Sequence, residues 1–382
     1  MNLLSESTLG VYAVFFAAFI VGTTFPHNLV YLPSQIYAVG RPMAEKLSSI
    51  GRVLWMGSAF SVLGSVTILV AAVATAAYTS TSATIALTVT AAINLVVSSA
   101  QDNLRRILHI AGSHWSAASM SIVQFATVAI ALVAMIATDI PEVWIPFGSL
   151  ICANIVSSTL GLVRAGGFGR WKAPAELKAR VLVRSGRWLL AQALIPTGAV
   201  FLAATVITSL AGAVAMGHAE AARIVAQPVL VFATGLTAVL GPRVMAAAMS
   251  RDERGSRAML RRFTQLTAVV GVLYLGLAGW ETPWNPMQLI VPPAYAVNGL
   301  VAATIVANIV FGSLFLRIDE LMGARREVSL VKVSLVGSPL LVVAALTAGF
   351  TGAFARPLGF LVDAGVRYPG YLHYREKVYR EG

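Results

Sequence analysis

The sequence predicts an all-α integral membrane protein with about eleven transmembrane helices. Three observations carry that prediction. First, 57% of the 382 residues are hydrophobic and only 12% are charged, with a mean hydropathy of +0.78. A water-soluble domain carries about 25% charged residues, so half of the polar coat that a water-facing surface needs is missing. Second, apolar runs of the roughly 20 residues needed to cross a hydrocarbon core recur along the whole chain. Third, the basic residues fall in alternate loops between those runs. The same composition excludes a soluble cytoplasmic enzyme, a disordered chain and a collagen-like chain. Cys152 is the single cysteine, which excludes a disulfide framework and a cysteine-based metal site.

The spans follow in order near 9–31, 53–77, 83–100, 115–137, 143–163, 187–209, 222–245, 264–280, 297–316, 328–348 and 351–366. The third is weakened by Thr, Asn and Ser, and the last by Arg356 and Asp363. Arg41, Lys46 and Arg52 lie between the first two spans, and Arg105 and Arg106 follow the third. Arg164, Arg170, Lys172, Lys178, Arg180, Arg184 and Arg187 follow the fifth. Arg243, Arg251, Arg254, Arg257, Arg261 and Arg262 follow the seventh. Arg317, Arg325 and Arg326 follow the ninth, and Arg367, Arg375, Lys377 and Arg380 form the tail. The intervening loops hold no Lys or Arg. Cytoplasmic loops collect basic residues, so the alternation places the C-terminus in the cytoplasm and the N-terminus outside. Trp144, Trp171, Trp188, Trp280 and Trp284 sit near span ends, as an aromatic belt requires. The net charge of +12 therefore reports orientation rather than a nucleic-acid partner. The N-terminal MNLLSES has no Lys or Arg, and the apolar run after it is too long for a signal peptide.

The basic loop divides the chain. Residues 1–164 form an N-terminal bundle of five spans, and 165–186 a basic, amphipathic linker on the cytoplasmic face. Residues 187–382 form a C-terminal bundle of six spans with a basic tail. Segments 9–64 and 216–271 share a register: Gly10 aligns with Gly217 and Gly64 with Gly271 at one constant offset. In both, a span ends near a proline (Pro33, Pro242) and a basic loop leads to the next span. Internal repeats of this kind are a transporter plan. On that register spans one to five match seven to eleven, and the sixth has no partner. The parent plan is then six plus six, with the first helix of the first half absent here.

Three stretches carry a resemblance: LGVYAVFFAAF from Leu9, SSAQDNLRRILHIAGSHWSAASMSIVQF from Ser98, and GHAEAARIVAQPVLVFATGLTAVLGPRVM from Gly217. The chain resembles the O-antigen and capsule-type polysaccharide flippases of the multidrug/oligosaccharidyl-lipid/polysaccharide exporter superfamily. The resemblance covers nearly the whole chain as a pattern of texture, and the absent first helix departs from it. It implies two helix bundles around a central cavity that opens alternately inward and outward. It also implies an undecaprenyl-pyrophosphate-linked glycan as cargo, membrane lipid and glycan-assembly proteins as partners, and residence in a bacterial cytoplasmic membrane. The runner-up expectation is a multidrug or small-solute exporter of the same fold. A truncated relic that transports nothing is a third.

Ionisable groups at membrane depth are costly and mark pathways or internal pairs. Glu220 and Arg223, spaced i, i+3, share a helix face beside His218. Arg223 could hold a phosphate or an acidic sugar, since guanidinium suits bidentate oxyanion binding, or the two could simply neutralise each other. Arg356 and Asp363 lie two turns apart on one face of the last span, lining the cavity or pairing with each other. Asp102, Arg105 and Arg106 at the inner end of the third span could meet a pyrophosphate entering from the cytoplasm, or anchor the span. Gln192 and Gln227 are expected at the substrate, and with Gln124, Asn154 and Asn308 they could bond sugar hydroxyls or each other between helices. His27 is expected as a hydrogen-bonded structural histidine, with proton relay as the alternative. Lys332 is expected to snorkel to the inner surface. No cofactor, metal site or catalytic residue is predicted. GxxxxGK[ST] and HExxH are both absent, and no carboxylate pair has catalytic spacing. Coupling to an ion gradient or to the membrane potential is then expected.

Overall fold

The computed structural model describes residues 5–38, 42–169, 177–279, 285, 293–297 and 299–380. Among these residues there is no strand, and nine helices are long and apolar enough to cross a membrane. The helices are α1 (Glu6–Pro26), α2 (Leu32–Ala38), α3 (Met43–Ser48), α4 (Ile50–Thr75), α5 (Thr81–Ile110), α6 (His114–Ala137) and α7 (Ile145–Arg164). They continue as α8 (Ala179–Met249), α9 (Glu253–Tyr274), α10 (Leu300–Gly312), α11 (Phe315–Gly323), α12 (Glu327–Ala345), α13 (Ala348–Thr351) and α14 (Ala355–Arg380). Ser80 starts α5 by accepting the amide of Ala83, and Asp252 starts α9 by accepting that of Gly255.

Several expected boundaries are corrected. The first span does not stop near Pro33. It runs from Glu6 to Ala38, with a π-helical turn at His27–Tyr31 between Pro26 and Pro33. Each proline lacks an N–H for the ladder, and the widened turn absorbs both losses. No loop separates the sixth and seventh spans. One helical run, α8, carries both and breaks only at Gly212, whose φ of 85° and ψ of 163° suit glycine alone. That run also passes position 242 and reaches Met249, so the second proline ends no helix either. The basic tail is helix to Arg380, because Tyr371, Arg375 and Val378 bury one face of α14. Of the expected linker, residues 170–176 lie outside the described residues, as do Arg41, Trp280 and Trp284.

Contacts divide the chain into residues 14–197 and residues 1–13 with 198–382, rather than at the basic loop. The boundary falls beside Pro196, inside α8, because no loop interrupts that helix. In the first group α4, α5, α6 and α7 pack side by side, with Leu104, Leu108, Ala117 and Met120 fully buried. Gly22 and Gly64 bring α1 and α4 close together: a Cβ on either would overlap the other's carbonyl. In the second group α12 and α10 pack on α14, and Gly10 lies against Ala213 and Gly217. Gly10 and Gly217, matched in the sequence register, thus touch in space. Leu, Val, Ile and Phe on the opposite faces (Val62, Phe125, Val133, Val269, Val336) are exposed, as lipid-facing positions must be.

Candidate functional site

In the second group the central feature is Glu220, fully buried on α8. Arg223 grips it from one turn on: Nη2 donates to Oε1 at 2.7 Å and Nε reaches both oxygens at 3.0 Å. Arg356, at the start of α14, donates from Nη1 to Oε2 at 2.7 Å. Arg223 also donates to Oε1 of Gln227 at 2.9 Å. One carboxylate therefore serves two guanidiniums. Tyr12 lies close enough to feel both Glu220 and Arg223. His218 Nε2 sits 3.1 Å from the carbonyl of Ala294 and 3.3 Å from Oε2 of Glu6.

Asp363 is not the partner of Arg356. It accepts from Nε of Arg367 at 2.6 Å, and Arg367 reaches Oγ of Ser338 on α12 at 2.7 Å. The spacing explains the correction. Arg367 stands one turn from Asp363 on the same helix, whereas Arg356 stands two turns away and meets Glu220 first.

The first group holds a cavity of about 480 Å³ lined by Thr24, His27, Tyr31, Ser99, Asp102 and Arg106, with Phe19 and Ile20 on its apolar side. Asp102 accepts from Arg105 at 2.5 Å and from Arg106 at 2.8 Å. Again one carboxylate serves two guanidiniums. Tyr31 Oη and Ser99 Oγ are buried without a hydrogen-bond partner among the described residues. His27, expected to be hydrogen-bonded, makes no side-chain hydrogen bond with a described residue and stands at the cavity wall. Gln192 is half-buried on α8, away from Glu220 in sequence and in the other group.

The neutral amides serve packing. Gln124 bonds Asn154 at 2.7 Å, Asn154 bonds Asn94 at 3.0 Å, and Gln101 bonds Gln124 and Ser157, tying α5, α6 and α7. Asn308 donates to the carbonyl of Ala226 at 3.0 Å. Of the expected amides, only Gln227 joins a charged cluster. Lys332 is exposed.

One cluster was not anticipated. Glu320 on α11, fully buried, accepts from Ser256, from Nε of Arg375 at 3.0 Å and from Tyr379 Oη at 3.1 Å. Burial, helped by the Glu320 charge, pushes the Tyr379 phenol up to about 12. The signal was the amphipathic spacing of Leu316, Glu320 and Gly323 in a stretch read as loop. Among the described residues no group of three His, Cys, Asp or Glu could hold a metal ion.

No protein-family model matches the sequence, and no curated protein does. Solved structures match over nearly the whole chain. An inward-facing multidrug resistance transporter of the MATE family, in the MOP superfamily, is similar with a TM-score of 0.67 at 12% identity, covering 98% of this chain and 94% of its own. A MOP superfamily transporter from Pyrococcus furiosus, described as having a binding pocket of reverse polarity, gives 0.64 at 12% identity, covering 99% and 89%. An outward-facing MATE family transporter gives 0.58 at 12% identity, covering 97% and 85%. At such identities the likeness establishes the fold, that of MOP superfamily transporters, and leaves the chemistry to the side chains.

Proposed function

We propose that this chain is a membrane transporter that works by alternating access and carries an anionic amphiphile, a lipid-linked oligosaccharide on a phosphate or pyrophosphate. The fold supports transport, since inward-facing and outward-facing transporters share it. The observation that supports the cargo class is the pairing of two arginines with one carboxylate, in the core at Glu220 and at the cavity wall at Asp102. Arg223 and Arg356 share the carboxylate of Glu220, and Arg105 and Arg106 share that of Asp102. At Glu220, where the two arginines are largely buried, a second anion beside the shared carboxylate would be stabilising. A phosphate supplies that anion and matches the guanidinium fork. On this reading Arg223, Arg356 and Gln227 bind the phosphate-sugar region, and Glu220 orients both arginines. Asp102, Arg105 and Arg106 receive the anion on the cytoplasmic side of a bacterial cytoplasmic membrane, and Gln192 adds a polar contact there. Glycan-assembly proteins would then supply the cargo.

A second reading is multidrug export, named for the inward-facing structure above. It is favoured by the cavity of the first group, where Asp102 is the sole carboxylate among the described lining residues, on a wall shared with Phe19 and Ile20. An amphipathic cation would fit there. Transport by proteoliposomes separates the two. A fluorescent lipid-linked oligosaccharide should be translocated, and Arg356→Gln should abolish the signal at equal protein level. Efflux of a lipophilic cationic dye, with no movement of the glycolipid, would sink the first reading and establish the second.

A further inference from the structure

A second cavity, of about 470 Å³, opens between α9, α11 and α14 at the basic end of the second group. Four arginines line it: Arg257, Arg261, Arg317 and Arg375. Thr264 and Gln265 add neutral donors, while Leu260 and Leu372 make an apolar flank. The nearby carboxylates are already engaged. Glu320 holds Arg375, Glu253 holds Arg257 at 2.7 Å and lies 3.6 Å from Arg375, and Glu376, itself on the pocket wall, lies 3.5 Å from Arg380. Arg261 has no carboxylate partner among the described residues. Arg317 lies over the Tyr368 ring at 4.7 Å and makes no ion pair with a carboxylate among the described residues. Arg375 is only 8% exposed, and its Nη2 has no hydrogen-bond partner. A buried guanidinium nitrogen without an acceptor, beside two arginines that form no direct ion pair among the described residues, is the donor set of an oxyanion site.

We infer that this pocket binds a phosphate group. Arg375 Nη2, Arg261 and Arg317 supply the charged donors, and Leu260 and Leu372 accept the carbon attached to it. The phosphate can be the head group of an anionic lipid from the cytoplasmic leaflet or free phosphate. Basic pockets between membrane helices on that side suit the former. The inference stands apart from the transport reading, because none of these residues belongs to the Glu220 or Asp102 clusters.

The test uses the full chain, purified in detergent and stripped of lipid. Binding is followed by native mass spectrometry and thermal unfolding with phosphatidylglycerol, phosphatidylcholine or inorganic phosphate. Phosphatidylglycerol should bind and protect the protein, and phosphatidylcholine should not. The R261Q/R317Q variant should bind phosphatidylglycerol about tenfold more weakly or worse, the loss expected for a charge-assisted contact. R251Q, at another basic position, should bind as the parent does. Equal protection by inorganic phosphate alone, also lost in R261Q/R317Q, assigns the site to free phosphate. If R261Q/R317Q does not fold, R261Q alone takes its place, since Arg261 is exposed and makes no ion pair. Protection retained in the variant, or no selective binding of either anion, overturns the site.

Discussion

The two groups of helices are held together by different chemistry. In residues 14–197, neutral amides join the helices: Gln101, Gln124, Asn154 and Asn94 form one chain across α5, α6 and α7. Asp102 makes local ion pairs there with Arg105 and Arg106, and both arginines are a third exposed or more. In the second group buried ion pairs do the joining: Glu220 to Arg356 across 136 residues, and Glu320 to Arg375 across 55. The same motif, one acid between two arginines, is thus a surface feature in one group and a core feature in the other. Burial, rather than the motif, decides what each pair is worth. Breaking a buried pair strands a charge in a poor solvent, whereas an exposed pair exchanges its partner for water.

The largest expected effect follows. Glu220→Gln leaves Arg223 and Arg356 facing each other without their anion, which should destabilise the protein by about 3–5 kcal/mol. Thermal unfolding in detergent, with folded yield as a second measure, checks this. A loss below about 1 kcal/mol would place Glu220 in effective contact with water and erase the contrast.

Next come the close approaches of backbone. Gly64→Ala in the first group and Gly10→Ala in the second each drive a methyl into a carbonyl, of Gly22 and Ala213 respectively. Each should cost about 1–3 kcal/mol. Gly276→Ala, which meets open space, should cost nothing by this route. Equal effects at all three positions would show that helix propensity, rather than contact, sets the response.

What the sequence made legible divides along the same line. Spans were legible because lipid demands a continuous apolar run, and this demand is local. The Glu220–Arg223 pair was legible because i, i+3 spacing is local too. The partner of Arg356 was not, since nothing along the chain links it to a carboxylate 136 positions away. Asp363–Arg367 had a readable i, i+4 spacing and was missed because Arg367 was counted as tail. Gly212 falls in the stretch 210–221 read as loop; that a single glycine breaks one continuous helix there was not legible, because glycine is common in membrane helices. Glu320 hid in a stretch taken for loop, where its charge was expected to be solvated.

A smaller effect tests the amide network. Asn154→Ala removes two hydrogen bonds between helices, each worth about 0.6 kcal/mol in membrane proteins on average. The loss should therefore be near 1 kcal/mol, well below that of Glu220→Gln, as read from the same unfolding curves. A loss as large as that of Glu220→Gln would mean that the neutral network, too, strands unsatisfied groups when broken.

The smallest effect is the sharpest test, because two clusters of one motif are compared directly. Asp102→Asn cuts two pairs on the surface of α5, spaced i, i+3 and i, i+4. Such pairs contribute about 0.3–0.5 kcal/mol each, so stability should barely move. Salt gives the discriminating signature. Exposed charges are screened within about 10 Å at 0.1 M ionic strength, and buried ones far less. The Asp102→Asn penalty should thus vanish at high salt, while that of Glu220→Gln persists. Transport should respond in the opposite proportion to stability. Asp102→Asn frees Arg105 and Arg106 beside the cavity and adds one positive charge to its mouth, which should speed capture of an anionic cargo at low salt. Slower uptake in Asp102→Asn, with unchanged stability, would show that the carboxylate itself meets the cargo and would favour a cationic one.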